Sequence, residues 1–117
     1  MPRTMEEILE HHNRAVLSND YAEMVADYSD DAILITLKGT FVGKDAIGRA
    51  LQQLIQDMPN MRGIDSPTNA MIIGGDTLLL RWSAESDTGT ITDAVDTIVL
   101  KDDKIGRQTT SFEIVPK

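Results

Sequence analysis

The stretch that most constrains the fold lies near the end of the chain, where Thr90–Ile114 reads TITDAVDTIVLKDDKIGRQTTSFEI. Two runs rich in Val, Ile and Thr, Ile91–Leu100 and Ile105–Val115, flank the polar connector Lys101-Asp102-Asp103-Lys104, the pattern of a β-hairpin. Asp103 stands where glycine is commoner, a substitution that Asp tolerates in turns. Midway along the first arm sits Asp96, with Val95 and Thr97 beside it and Ile98, Val99 and Leu100 following. A carboxylate in such a strand either faces water or is kept in a lined cavity at an energetic cost.

The upstream segments supply the layer that such a sheet must pack against. Thr4-Met5-Glu6-Glu7 is a capping box, and Met5, Ile8, Leu9, His12, Ala15 and Val16 follow as one stripe at helical spacing. His12 therefore points inward, whereas His11, on the side of Glu7, Arg14 and Ser18, is expected to be wet. Asp20-Tyr21-Ala22-Glu23 opens a short second helix that buries Tyr21, Met24, Val25 and Tyr28. Ser29-Asp30-Asp31 breaks it at a solvated turn. Ala32–Leu37 reads as a strand buried on both sides, and Lys38-Gly39 turns the chain into a short return strand, Thr40–Val42. A third helix carries Ile47, Leu51, Leu54, Ile55 and Met58 on its apolar stripe, with Asp45 favourably placed in its first turn, and Pro59 stops it. Asn60–Pro67 is irregular.

Asn69–Ile73, Gly74-Gly75-Asp76 and Thr77–Ser86 read as strand, turn, strand. Asp87-Thr88-Gly89 suits a three-residue loop with Gly89 left-handed, a register that places Asp96 on the face of Leu80, Trp82 and Ala84. A two-residue loop would bring Leu79, Arg81 and Ser83 there instead. Three helices and a terminal group of strands define an α+β class, with helices on one side of a curved antiparallel sheet.

Composition removes several functional classes. The chain has 117 residues, enough for one domain (1–117) with a real core. Nineteen acidic residues against 11 basic leave a net charge of −8 with no basic cluster, which argues against nucleic acid as a partner. The absence of cysteine removes disulfides and thiolate chemistry. No apolar run approaches a membrane span, and a cytoplasmic location is the expectation. His11 and His12 cannot share one metal, because adjacent helical residues point about 100° apart; neither metal nor cofactor is expected. Gly74-Gly75 is a turn and not a phosphate cradle, since no helix follows it.

Ser18-Asn19-Asp20 through Tyr28-Ser29-Asp30-Asp31-Ala32, Gly39-Thr40-Phe41-Val42-Gly43-Lys44-Asp45-Ala46-Ile47, and Asp93-Ala94-Val95-Asp96-Thr97-Ile98-Val99 with Asp103-Lys104-Ile105 together resemble the nuclear transport factor 2-like superfamily. The likeness is to its SnoaL-like and ketosteroid-isomerase-like branch. The resemblance implies a cone-shaped sheet around an internal pocket, and a dimer built on the open sheet face. It implies that His12 matches the oxyanion-binding tyrosine of ketosteroid isomerases and Asp96 their protonated oxyanion-hole acid, a carboxyl kept neutral by its apolar site. The general base of those enzymes falls at Thr36, which cannot act as one.

Two functional classes follow. In one, His12 and Asp96 face a common cavity as a coupled acid–base pair, and Tyr28, Thr36 and Trp82 line the pocket of a cofactor-independent isomerase, cyclase or dehydratase acting on a hydrophobic carbonyl or polyketide-like molecule. In the other, the same polar residues satisfy one another inside a non-catalytic dimeric module that binds a hydrophobic metabolite. Both phases of Ile91–Leu100 carry aliphatics, Ile91, Val95 and Val99 on one and Ile98 and Leu100 on the other. An uncovered apolar sheet face of that kind is expected to pair two chains.

Overall fold

The computed structural model describes residues 3–117. The first helix, α1 (Met5–Leu17), starts at the expected capping box: the Glu7 amide donates to the Thr4 hydroxyl, and the Glu7 carboxylate accepts from the Thr4 amide. Met5, Ile8, His12, Ala15 and Val16 are its buried residues. After α2 (Tyr21–Ala26), the strand β1 (Tyr28–Thr36) begins earlier than the Ser-Asp-Asp signal suggests. Tyr28 belongs to the strand, where it pairs with Ile105, and not to the helix. Asp30 and Asp31 remain exposed and pair with Lys44 and Lys101.

The strand β2 (Gly39–Val42) folds back on β1, and α3 (Lys44–Asp57) follows through Gly43, whose φ of 86° favours glycine. Where α2 and α3 meet, a Cβ on Gly48 would stand 2.6 Å from the outer end of the half-buried Tyr21 ring, so any larger residue there would have to displace that ring. The strands β3 (Ala70–Gly74), β4 (Thr77–Glu85), β5 (Gly89–Lys101) and β6 (Lys104–Ser111) form the expected meander, and β7 (Ile114–Pro116) returns to β5. Phe112 and Glu113 thus interrupt what the sequence reads as one arm. The sheet order is β2-β1-β6-β5-β4-β3. Every pairing is antiparallel except β1–β6, which is parallel and makes the curved, unclosed sheet a mixed one.

The β4–β5 hairpin reaches the anticipated face by another route. Ser86 and Gly89 close the turn, with Asp87 and Thr88 alone at its tip and without a left-handed Gly89. Left uncorrected, that two-residue loop would set Asp96 opposite Leu79. A β-bulge between Trp82 and Ala84, with Asp93 at φ 55°, adds one residue to β5 and restores Asp96 opposite Leu80. The same bulge turns Ile91 inward, beside Ala94 and Ile98, and away from the outward Val95 and Val99. At the β5–β6 turn it is Asp102, at φ 59°, and not Asp103 that takes the left-handed conformation.

Candidate functional site

His12 comes from the buried stripe of α1, Trp82 from β4, Asp96 from β5, and Gln108 and Thr110 from β6. All of them line one internal cavity of about 60 Å³, with Leu34, Leu51, Leu54, Leu80, Ile98 and Phe112 as its apolar walls. The cavity shares Leu34, Leu51, Leu54, Thr110 and Phe112 with an outer groove of about 410 Å³ between α3 and the β1–β2 hairpin. Thr36 lies on the wall of that groove, where its hydroxyl accepts from the Lys38 amide. A wider hollow of about 790 Å³ near Arg62, Arg81 and Asp93 is open to solvent and holds no buried titratable side chain.

Asp96 is buried and accepts three hydrogen bonds. The Trp82 indole N–H donates to Oδ1 at 3.0 Å, the Gln108 amide donates to Oδ2 at 3.0 Å, and the Thr110 hydroxyl donates to Oδ1. Gln108 in turn accepts from the Tyr28 hydroxyl at 2.6 Å, which aims its NH2 at Asp96. Burial pushes the Asp96 carboxyl above the usual carboxylate range, against the three donors, which stabilise the anion. Tyr28, expected on the pocket wall, is instead fully buried outside the cavity lining and reaches the site only through Gln108; burial raises its phenol well beyond the ordinary value, with the charges of Asp96 and Asp27 adding to the effect.

His12 and Asp96 share the cavity but make no hydrogen bond to each other, so the direct pairing anticipated from their positions is not formed. The carboxylate nearest His12 is Asp27, whose Oδ2 lies 4.0 Å from Nδ1, and that nitrogen is buried without a hydrogen-bond partner. Burial lowers the His12 pKa, which favours the neutral ring; Asp27 opposes this and His11 reinforces it. The ring stacks edge-on against Tyr28, with centroids 5.8 Å apart.

His11 departs from the sequence reading. It is half-buried and bridges two elements: Nδ1 is 2.8 Å from the Asp27 carboxylate and Nε2 is 2.7 Å from Glu23. The Asp27 hydrogen bond raises its pKa. Asp27 itself is fully buried beside Arg3 and His11. Sequence reasoning passed over Asp27 and Gln108. The only local signal was a carboxylate directly before the buried Tyr28, and an amide two residues before Thr110 on the alternating phase of β6. Among the described residues, no group of three or more His, Cys, Asp or Glu side chains is arranged to hold a metal ion.

Three helices on a mixed, curved, unclosed sheet, with polar side chains turned into a pocket, define a nuclear transport factor 2-like or cystatin-like α+β fold. The chain belongs to the SnoaL-like domain family, whose model matches residues 9–108. Among solved structures, an NTF2-like protein of unknown function from Cytophaga hutchinsonii superposes with a TM-score of 0.77 at 12% identity, covering 97% of this chain and 93% of the other. TerC co-crystallised with polyporic acid gives 0.75 at 18% identity, with 92% and 90% covered. A candidate polyketide cyclase, SMa1630 from Sinorhizobium meliloti, gives 0.73 at 17% identity, with 89% and 93% covered. No curated protein matches the chain in sequence. Among the described residues no helix is long and apolar enough to cross a membrane.

Proposed function

We propose that this protein takes a small, largely apolar carbonyl compound into its pocket and moves a proton on it without a cofactor, as an isomerase, cyclase or dehydratase. The observation that carries this reading is that a buried imidazole, its pKa lowered by burial, and a buried carboxyl, its pKa raised by burial, line one largely apolar cavity. In the protonated form, the Asp96 O–H donates to the ligand's carbonyl oxygen while Trp82, Gln108 and Thr110 hold the carboxyl in place. His12 takes a proton from the adjacent carbon, and the C–H electron pair passes through the new C=C bond onto the oxygen. The imidazolium so formed is stabilised by Asp27, 4.0 Å away. Return of the proton at another carbon isomerises the ligand; attack of the enolate on a second carbonyl cyclises it.

The three donors that occupy Asp96 favour a second reading, in which the site binds such a molecule and does no chemistry. One experiment separates the two. The chain has a single tryptophan, and its indole lines the cavity, so its N–H resonance reports what enters. β-Tetralone should shift that resonance and exchange its α-protons for solvent deuterium, with exchange lost in His12→Ala. A shift without exchange supports the binding module, and no shift with any aromatic ketone overturns both.

A homodimer is part of the same proposal. Leu79 and Ile35 are exposed on the outer sheet face, alongside the half-buried Val95, Val99 and Ile33, and an apolar surface of this kind associates readily.

A further inference from the structure

The outer groove differs in character from the inner cavity. Its floor is apolar, formed by Leu34, Phe41, Leu54 and Phe112, and its rim carries Lys38, Arg49, Gln53 and Asp57. Asp57 is already engaged. Gln53 donates to its Oδ1 at 2.9 Å, and the Lys38 ammonium stands 3.7 Å from Oδ2. Arg49 makes no ion pair and no hydrogen bond among the described residues, although Asp45 lies one turn before it on α3. This is notable in a chain where acidic side chains outnumber basic ones 19 to 11. The rim therefore holds a local excess of positive charge on a protein of net charge −8, next to an apolar floor.

A guanidinium offers parallel N–H donors in the geometry of a carboxylate, and being more weakly hydrated than an ammonium it gives up water more readily. We infer that the ligand is an amphipathic acid: its carboxylate is held by Arg49 at the rim, its apolar body lies on Phe41, Leu54 and Phe112, and its carbonyl end reaches toward His12 and Asp96. This rests on the pocket reading above and adds the charge of the ligand to it. Lys38 is tied to Asp57 and contributes field without a free carboxylate-binding geometry. Arg49 is accordingly the specificity-determining residue for acids over neutral analogues.

The test uses a matched pair, 2-naphthoate and its methyl ester, followed by the Trp82 indole resonance and by calorimetry. The acid should bind the wild-type protein roughly fivefold more tightly than the ester, the scale of a partly exposed Arg–carboxylate contact. The preference should narrow between 50 and 500 mM salt, because the rim is open to solvent. In Arg49→Gln the ratio of the two affinities should fall to about one, while Arg14→Gln, an exposed change on α1, should keep the preference. Arg49 is exposed, so an unchanged far-UV spectrum is expected for its variant. An acid bound no better than the ester, or a preference that survives Arg49→Gln, overturns the inference while leaving the pocket reading intact. If neither compound moves the indole resonance, the inference falls, and the ketone titration above decides the pocket reading separately.

Discussion

Replacing Asp96 separates its charge from its hydrogen bonds. In Asp96→Ala, the Trp82 indole loses its acceptor and cannot re-aim because the ring is fixed, and the Gln108 amide leaves one polar end unpaired in either orientation, since only its other end meets the Tyr28 hydroxyl. The Thr110 hydroxyl can rotate away. Two stranded polar groups cost about 1–2 kcal/mol each, so Asp96→Ala should lose about 2–4 kcal/mol. Asp96→Asn keeps the volume, and a flip of Gln108 lets its Oε1 accept from the new NH2, so the loss should be smaller. The sign of the pH dependence follows from the raised pKa. The folded state holds the Asp96 proton more tightly than the unfolded chain does. Its stabilising contribution is therefore greatest below the unfolded carboxyl pKa, declines as pH rises toward the folded value, and is flat above it. Urea unfolding of wild type and Asp96→Asn, measured in parallel from pH 3.5 to 8 at one protein concentration, gives a difference from which the other groups cancel. That difference should shrink as pH rises. A wild-type advantage that grows with pH would mean that the three donors depress the Asp96 pKa, and the protonated carboxyl would have to be abandoned.

Other measurements test the neighbouring groups. His11, with its raised pKa, should stabilise the fold fully below the unfolded histidine pKa and lose that contribution as pH climbs through the folded value, so His11→Gln should flatten the stability curve above about pH 6.5. His12 should titrate below the ordinary histidine value by NMR and respond to Asp27→Asn, whose direct electrostatic effect is a further fall; a rise would exclude Asp27 as its principal charge partner. Leu79→Lys on the outer sheet face should convert a dimer into a monomer by light scattering, and a monomeric wild type at micromolar concentration would rule the dimer out. Gly48→Ala should destabilise the α2–α3 contact and lower the melting temperature by several degrees, because the Tyr21 ring stands where the methyl would go.

Much of the fold is written in local pattern. The capping box at Thr4, the stripe that turns His12 inward and the apolar stripe of α3 are set by residues a few positions apart, and such periodicities survive into the structure because each element must bury its apolar face. Asp96 also declared itself locally, as a carboxylate within a hydrophobic strand. Long-range packing decided the rest. Nothing near Asp93 announces that a bulge will offset a two-residue turn, because a bulge is a choice between registers that only the buried face can make. Tyr28 and Gln108 lie 80 positions apart, and the buried Asp27 is paired by Arg3 and His11, which arrive from α1 and its approach. Even the partner of His12 was a tertiary matter: helical phase turned the ring toward the interior, but the packing of α2 against α1 set it beside Asp27 and left Asp96 to Trp82, Gln108 and Thr110.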